Sequence, residues 1–246
     1  SDVYKRQIIK DDLCCYRSSS KVVALAKKHS SDLHVLHLTT EKEIELFTND
    51  PIKNKKITCE ACVHHLWFDE RDYAELGNLI VCNPAIKKES DRNALRKALK
   101  DGYIDLVATD HAPHVFEDKK LPYLKAPAGI PLIEHSFQIM IELHKQGYYS
   151  LNEVISYMSH KVADRFSIKD RGYIREGYKA DFIIFDVDKE TLVSNETELT
   201  KCGWSPFDGK TFSSSVYGTI INGKPIVING KLVSDTSSSE KLRFDR

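Results

Sequence analysis

The sequence predicts an α/β fold that passes into an all-β region towards its carboxyl end. From about residue 18 to 160, helix-like and strand-like segments alternate, the pattern of βα units on a mostly parallel sheet. Beyond residue 168, a continuous apolar run between Asp181 and Asp186 and two Asn-Gly pairs, Asn222-Gly223 and Asn229-Gly230, signal a strand and consecutive hairpins. At 246 residues, 41% hydrophobic and 29% charged, the chain is long enough for one large domain or two unequal ones.

Taken in order, Ser18-Ser19-Ser20 is expected to cap a helix carrying Val22, Val23, Leu25 and Ala26, which leads into a first strand over Leu33 to Leu38. Thr40-x-x-Glu43 reads as a capping box that opens the next helix. A second strand is expected over Ile57 to Val63. Asp91 is expected to cap a helix burying Leu95, Ala98 and Leu99, and a third strand runs from Ile104 to Ala108. After a loop bearing Pro113, Pro122, Pro127, Gly129 and Pro131, the residues Ile133, Phe137, Met140, Ile141 and His144 recur at helical spacing, and Ser150-x-x-Glu153 caps a shorter helix. Three parallel strands cannot close an eight-stranded barrel, which needs about 250 residues. They fit either a small open sheet or the second half of something larger.

Lys+Arg and Asp+Glu both total 36, so no global basic field attracts nucleic acid. No apolar run reaches membrane-spanning length, and the six cysteines show no regular disulfide framework, so the expected partner is a small molecule and the expected compartment a reducing cytoplasm. A homodimer is left open.

Ala108-Thr109-Asp110-His111-Ala112-Pro113-His114 is the segment richest in chemistry. A carboxylate and two imidazoles follow an apolar strand, where α/β barrels place their reacting groups. A carboxylate there must be solvated, paired or metal-bound to stay ionised, which makes Asp110 a metal ligand or a general base. Pro113 stiffens the turn that sets His114 relative to Asp110. His34 and His37 differ in strand parity. His37, nearer the carboxyl end, is the better inward candidate, its bland alternative being a hydrogen-bonded core histidine. Cys59-x-x-Cys62 followed by His64-His65 invites a zinc reading, but a second spaced pair is missing and adjacent histidines share one tetrahedral ion poorly, so packing is the expected role. Asn83 precedes Pro84 in an extended loop and is functional only if that loop faces a pocket.

Taken together, Thr109-Asp110-His111-Ala112-Pro113-His114, His37 in Leu-His-Leu-Thr-Thr, His64-His65 and Asn83-Pro84 resemble the dihydroorotases of the amidohydrolase superfamily. The resemblance covers residues 8 to 232, roughly, and extends to Arg171 through Asp181 and to Cys202-Gly203-Trp204-Ser205-Pro206-Phe207. Hydantoinases and allantoinases, the related alternative, keep the Asp-His pair but usually lack the trailing histidine. The resemblance implies zinc-dependent, reversible hydrolysis of the cyclic amide of dihydroorotate to N-carbamoyl-aspartate in pyrimidine biosynthesis, with two zinc ions in a complete site. It implies that His37, ending the sixth barrel strand, binds metal. Asp110, ending the eighth, binds metal and carries the proton. It further implies that His114 holds the substrate carboxylate, while Asn83 and the backbone of Gly129 contact the ring.

The family pattern also includes a His-x-His pair with a nearby arginine, a carboxylated lysine or carboxylate bridging the metals, and a histidine after the fifth strand. No His-x-His occurs in this sequence, and His29 falls on a predicted surface helix. The fold expected is therefore the C-terminal half of a TIM-type (β/α)8 barrel over residues 8–168, followed by a small all-β sandwich over 169–246, with residues 1–7 a non-native leader. Negligible hydrolase activity is expected of this polypeptide alone. A non-catalytic, dihydroorotase-like assembly domain is the reading from a different class.

Overall fold

The structure, a computed structural model, describes residues 9–234 and 239–245. The expected leader over 1–7 lies outside them.

Three parallel strands, β1 (Leu33–Val35), β2 (Ile57–Cys62) and β3 (Leu106–Ala108), form a sheet in that order. His34 pairs with Thr58, Glu60 with Leu106 and Cys62 with Ala108. Side-chain alternation divides the faces. Cys59 and Ala61 join the apolar core, whereas His34, Thr58 and Glu60 form a polar set: His34 Nδ1 lies 2.8 Å from Thr58 Oγ1 and Nε2 3.0 Å from Glu60 Oε2. The central strand β2 is buried along almost its whole length, yet one of its faces is polar.

The helices cover the apolar side. α1 (Asp12–His29) begins earlier than the serines suggest, because Asp11 rather than Ser18 caps it, its carboxylate accepting from Cys14 N–H at 2.7 Å. α2 (Glu41–Ile44) starts as expected at Thr40, whose hydroxyl accepts from Glu43 N–H at 3.3 Å. α3 (Val63–Trp67) follows β2 with no intervening loop, and α4 (Tyr73–Leu76) lies in the connection to α5 (Glu89–Lys100). Leu95, Ala98 and Leu99 of α5 are buried as expected, but Asp91 is its third residue rather than its cap and instead accepts from Glu41 N–H at 2.9 Å, tying α5 to α2. α6 (Phe116–Lys119) and α7 (Ser136–Lys145) precede α8 (Leu151–Ile155), which opens with a reciprocal Ser150–Glu153 capping box and continues through a π-helical turn, Ser156–His160, into α9 (Lys161–Phe166). Met140 and Ile141 of α7 are fully buried.

After α9 the chain turns to β structure. β4 (Phe182–Asp186), β7 (Ser215–Ile221), β8 (Lys224–Ile228) and β9 (Lys231–Leu232) form an antiparallel sheet in that order, and β5 (Thr191–Leu192) pairs with β6 (Thr211–Phe212). Asn222 and Gly223 (φ 50° and 79°) and Asn229 and Gly230 (φ 54° and 71°) give the two hairpins their expected turns, with both central residues left-handed. Phe212 is buried in the α/β core, while Ile183, Ile184 and Tyr217 remain exposed on the four-stranded sheet.

Candidate functional site

The carboxyl ends of the three parallel strands converge. β1 stops at Val35, two residues short of His37, which has φ 42°; Asp110, two residues past β3, has φ 46°. Left-handed backbone at a non-glycine residue costs on the order of 1–2 kcal/mol, less for aspartate, and tends to persist where a site demands it. The left-handed turn also removes His37 from strand parity. It is not a core histidine opposite His34 but a neighbour of Asp110, whose carboxyl it pulls down. Burial is the larger influence and, with Glu60, holds the Asp110 pKa above the ordinary carboxylate value. Asp110 is exposed, and its carboxyl sits close to an imidazole.

Between these two, at the β2–α3 junction, lie Cys62, His64 and His65, each 3% exposed or less. One ligand atom from each lies within 4.8 Å of the others, and the two rings are 4.0 Å apart, tilted by 48°. The strand turns into the helix without a loop, which gathers side chains that an extended chain would have separated. Both ring nitrogens of His64 and Nδ1 of His65 have no hydrogen-bond partner among the described residues. Burial, helped by His37, lowers His64 to about 3, and burial with His64 also lowers His65, so both rings are neutral. A buried imidazole with unmade hydrogen bonds costs about 1–3 kcal/mol per group, so packing alone does not explain the pair. The sequence offers these residues as a zinc reading and favours packing on their spacing; the unmet hydrogen bonds are a signal that spacing does not carry.

His111 serves its own loop, with Nδ1 accepting from Leu132 N–H at 3.0 Å and Ile133 N–H at 3.1 Å. His114 donates from Nε2 to the Ala128 carbonyl at 3.2 Å, and Trp204 Nε1–H anchors the His114 carbonyl at 2.7 Å. Gly129 closes against them: with φ 152°, a Cβ there would fall 2.6 Å from the Ala112 carbonyl oxygen and 2.8 Å from His114 Cδ2. Lys119, buried at 2% exposure and unforeseen from sequence, donates to the carbonyls of Pro127 at 2.9 Å and Gly129 at 2.8 Å and holds this loop. Asn83 is exposed, its amide oxygen accepting from Lys10 Nζ at 2.6 Å. The structure thus joins His37 with Asp110 and His114 with Gly129, while Asn83 stands towards solvent. An open cavity of about 610 Å³ lined by His111, Pro113, Ile133, Glu134 and Thr200 flanks the motif, but neither His37 nor Asp110 lines it.

Residues 18–226 match the model of the Amidohydrolase family. The chain belongs to the amidohydrolase family. A dihydroorotase of Ehrlichia chaffeensis is 35% identical over 191 residues, covering 78% of this chain and 42% of that protein. The dihydroorotase of Bacillus subtilis is 33% identical over 212 residues, covering 86% and 49%. The chain therefore spans about half the length of the curated relatives it matches. Among solved structures, a dihydropyrimidinase from Brevibacillus agri superposes with a TM-score of 0.80 at 25% identity, covering 88% of this chain and 49% of that one. An L-hydantoinase from Arthrobacter aurescens gives 0.82 at 24% identity, covering 89% and 50%. In this amidohydrolase chain the buried Cys62, His64 and His65 group ligand types that suit a divalent ion, with bare imidazole nitrogens, while the half-buried His37 and the exposed Asp110 stand at the neighbouring strand ends.

Proposed function

We propose that this chain carries part of the active site of a zinc-dependent dihydroorotase, which opens the cyclic amide of dihydroorotate to N-carbamoyl-aspartate and closes it again. In this reading residues 8–168 are the C-terminal half of a (β/α)8 barrel, 169–246 a β-sandwich subdomain, and the setting is the cytoplasm, which suits six free cysteines. The observation that carries it is the meeting of His37, Asp110 and the unpartnered His64 at neighbouring strand ends, with Asp110 inside an Asp-His-Ala-Pro-His segment.

His37 and Asp110 would hold the metal, with His64 beside His37. A divalent ion bound there supplies Lewis acidity towards the amide carbonyl and a water that ionises near neutral pH. Asp110 takes the proton from the attacking water at its carboxylate and delivers it to the departing ring nitrogen. In the direction of ring closure the same carboxyl returns it. Its raised pKa suits both transfers. His114, oriented by its bond to the Ala128 carbonyl, binds the substrate carboxylate, and Gly129, which leaves room for no side chain, lets its backbone approach the ring. Asn83 contacts the ring from the other side once its Lys10 contact opens.

The similar hydantoinase and dihydropyrimidinase structures favour a second reading, in which the ring lacks a carboxylate. The natural protein that carries this chain, supplied with zinc, should turn over dihydroorotate and not hydantoin or allantoin. His114→Ala should impair binding of carboxylate-bearing substrates alone. Turnover confined to hydantoin would replace the first reading with the second, and turnover of none would favour the assembly domain.

A further inference from the structure

Cys62 remains unexplained by the reaction. It ends β2, is fully buried, and carries its sulfur into the His64–His65 pair. On strand periodicity alone, a small apolar residue would fill this place as well.

The hydrogen bonds around His65 show what the pair is arranged to do. Its Nε2 lies 3.1 Å from the Pro84 carbonyl oxygen. A carbonyl can only accept, so Nε2 carries the hydrogen and the lone pair of the neutral ring sits on Nδ1, the atom left without a partner. That is the arrangement of a metal-ligating histidine, in which a backbone acceptor fixes the tautomer and turns the other nitrogen towards the ion. His64, 1% exposed, offers bare nitrogens in the same place.

We propose that Cys62, as its thiolate, joins His64 and His65 in holding a thiophilic divalent ion, zinc or cadmium in preference to magnesium or manganese. Zinc–sulfur and zinc–nitrogen bonds of about 2.3 and 2.0–2.1 Å place tetrahedral donors about 3.3–3.6 Å apart. One ligand atom of each residue already lies within 4.8 Å of the others, and the two imidazole rings are 4.0 Å apart, so small side-chain adjustments close the set. On binding, the thiol releases its proton to solvent and the sulfur lone pair forms the bond to the metal, with no change of oxidation state. A soft sulfur donor beside two imidazoles favours zinc over the hard cations that oxygen ligands select. Cys82 Sγ, 3.8 Å from His65 Nε2, donates to the Pro84 carbonyl at 3.1 Å and so supports the shell from outside. This assignment rests on burial, tautomer and proximity, and holds whichever cyclic amide is the substrate.

Zinc X-ray absorption on the unmutated chain reads the ligands directly. One sulfur neighbour at about 2.3 Å is expected, and a shell of nitrogen and oxygen alone would overturn the proposal. Cobalt(II) identifies which sulfur. A thiolate-to-cobalt charge-transfer band should form at one cobalt per chain and be lost in Cys62→Ser. It should persist in Cys82→Ser and in Cys59→Ser, since Cys59 instead donates to the Tyr103 carbonyl at 3.4 Å. A band that survives Cys62→Ser in a folded protein would contradict it, and if that variant does not fold, the zinc spectrum with the Cys82→Ser result decides. None of these readouts depends on turnover, so failure of the dihydroorotate reading would leave them intact.

Discussion

Among the described residues two groups of three donors stand together, and they differ in whether the donors already have partners. At the start of α7, Glu134, His135 and Glu198 offer ligand atoms within 4.8 Å of one another, as Cys62, His64 and His65 do. In the first group every member is engaged. His135 gives Nε2–H to Glu198 at 2.6 Å and Nδ1–H to Gln138 Oε1 at 2.9 Å, and Glu134 accepts from the N–H groups of Leu199 and Thr200 at 3.0 and 3.2 Å. Gln138 is itself oriented by donating to the Ser214 carbonyl at 3.1 Å. The first cluster is a clasp between α7 and the segment before β6, while the second is a set of lone pairs held ready. Proximity of ligand types does not distinguish a metal site from a structural knot, whereas unmet hydrogen-bonding capacity in a dry place does.

The largest effect that would sharpen this contrast is chemical. Asp110→Asn keeps the shape of the side chain but not its proton-carrying carboxyl, and should lower kcat by about 10²–10⁴-fold in the natural protein, measured by dihydroorotate ring opening. A loss below tenfold would remove Asp110 from the proton path.

The next effect tests the clasp against the bare pair in the absence of metal. His135→Leu leaves Glu198, whose side chain is 3% exposed, buried beside Glu134 without its cation, and should destabilise by about 3–5 kcal/mol in urea unfolding. His64→Leu removes polar atoms that bond to nothing, and should stabilise the metal-free chain by about 1–3 kcal/mol. Effects of the same sign would break the comparison.

Gly129→Ala forces a Cβ to within 2.6 Å of the Ala112 carbonyl and should cost about 1–3 kcal/mol while raising KM more than it lowers kcat, because His114 must move aside.

The smallest effect is a pH slope. Burial by itself pulls the His135 pKa down, but hydrogen bonds to Glu198 and Gln138, with the Glu198 and Glu134 charges, outweigh it and leave the folded value raised. Its stabilisation is therefore complete below the unfolded value of about 6.5 and is lost as the pH climbs through the folded one. Unfolding free energy should decline above about pH 6.5 by at most about 1.4 kcal/mol per unit, and His135→Gln should flatten that decline.

How much of this was legible in the sequence depends on whether the cause was local. The Asn-Gly hairpins and the Ser150–Glu153 box are set by residues within a few positions of one another, and each stands where the pattern puts it; the three strands come in the expected order, but β1 ends at Val35 and β3 begins at Leu106, because their pairing partners lie far along the chain. Asp110 was legible because a carboxylate at an apolar strand end needs a reason to be there. The helix start at Asp11 was missed because two capping signals competed and the triple serine was the more visible. His37 could be chosen, but not by the parity argument, since the strand ends before reaching it. Lys119, in the sequence Glu-Asp-Lys-Lys, reads as a solvated helix face, and only the return of residues 127–129 over it makes it a buried clamp. The solitude of His64 and His65 depends on what does not approach them. Pro84, whose carbonyl fixes the His65 tautomer, lies 19 residues along the chain.

The central claim is that bare, buried imidazoles mark the metal site in this amidohydrolase chain. Thermal unfolding with and without zinc, on the unmutated chain and on His64→Leu and His135→Leu, tests it most directly. At a hundredfold excess over the Kd of the unmutated chain, zinc should stabilise that chain and His135→Leu by about 2.7 kcal/mol each and stabilise His64→Leu by less. Equal stabilisation of His64→Leu, or none of the unmutated chain, would contradict the account.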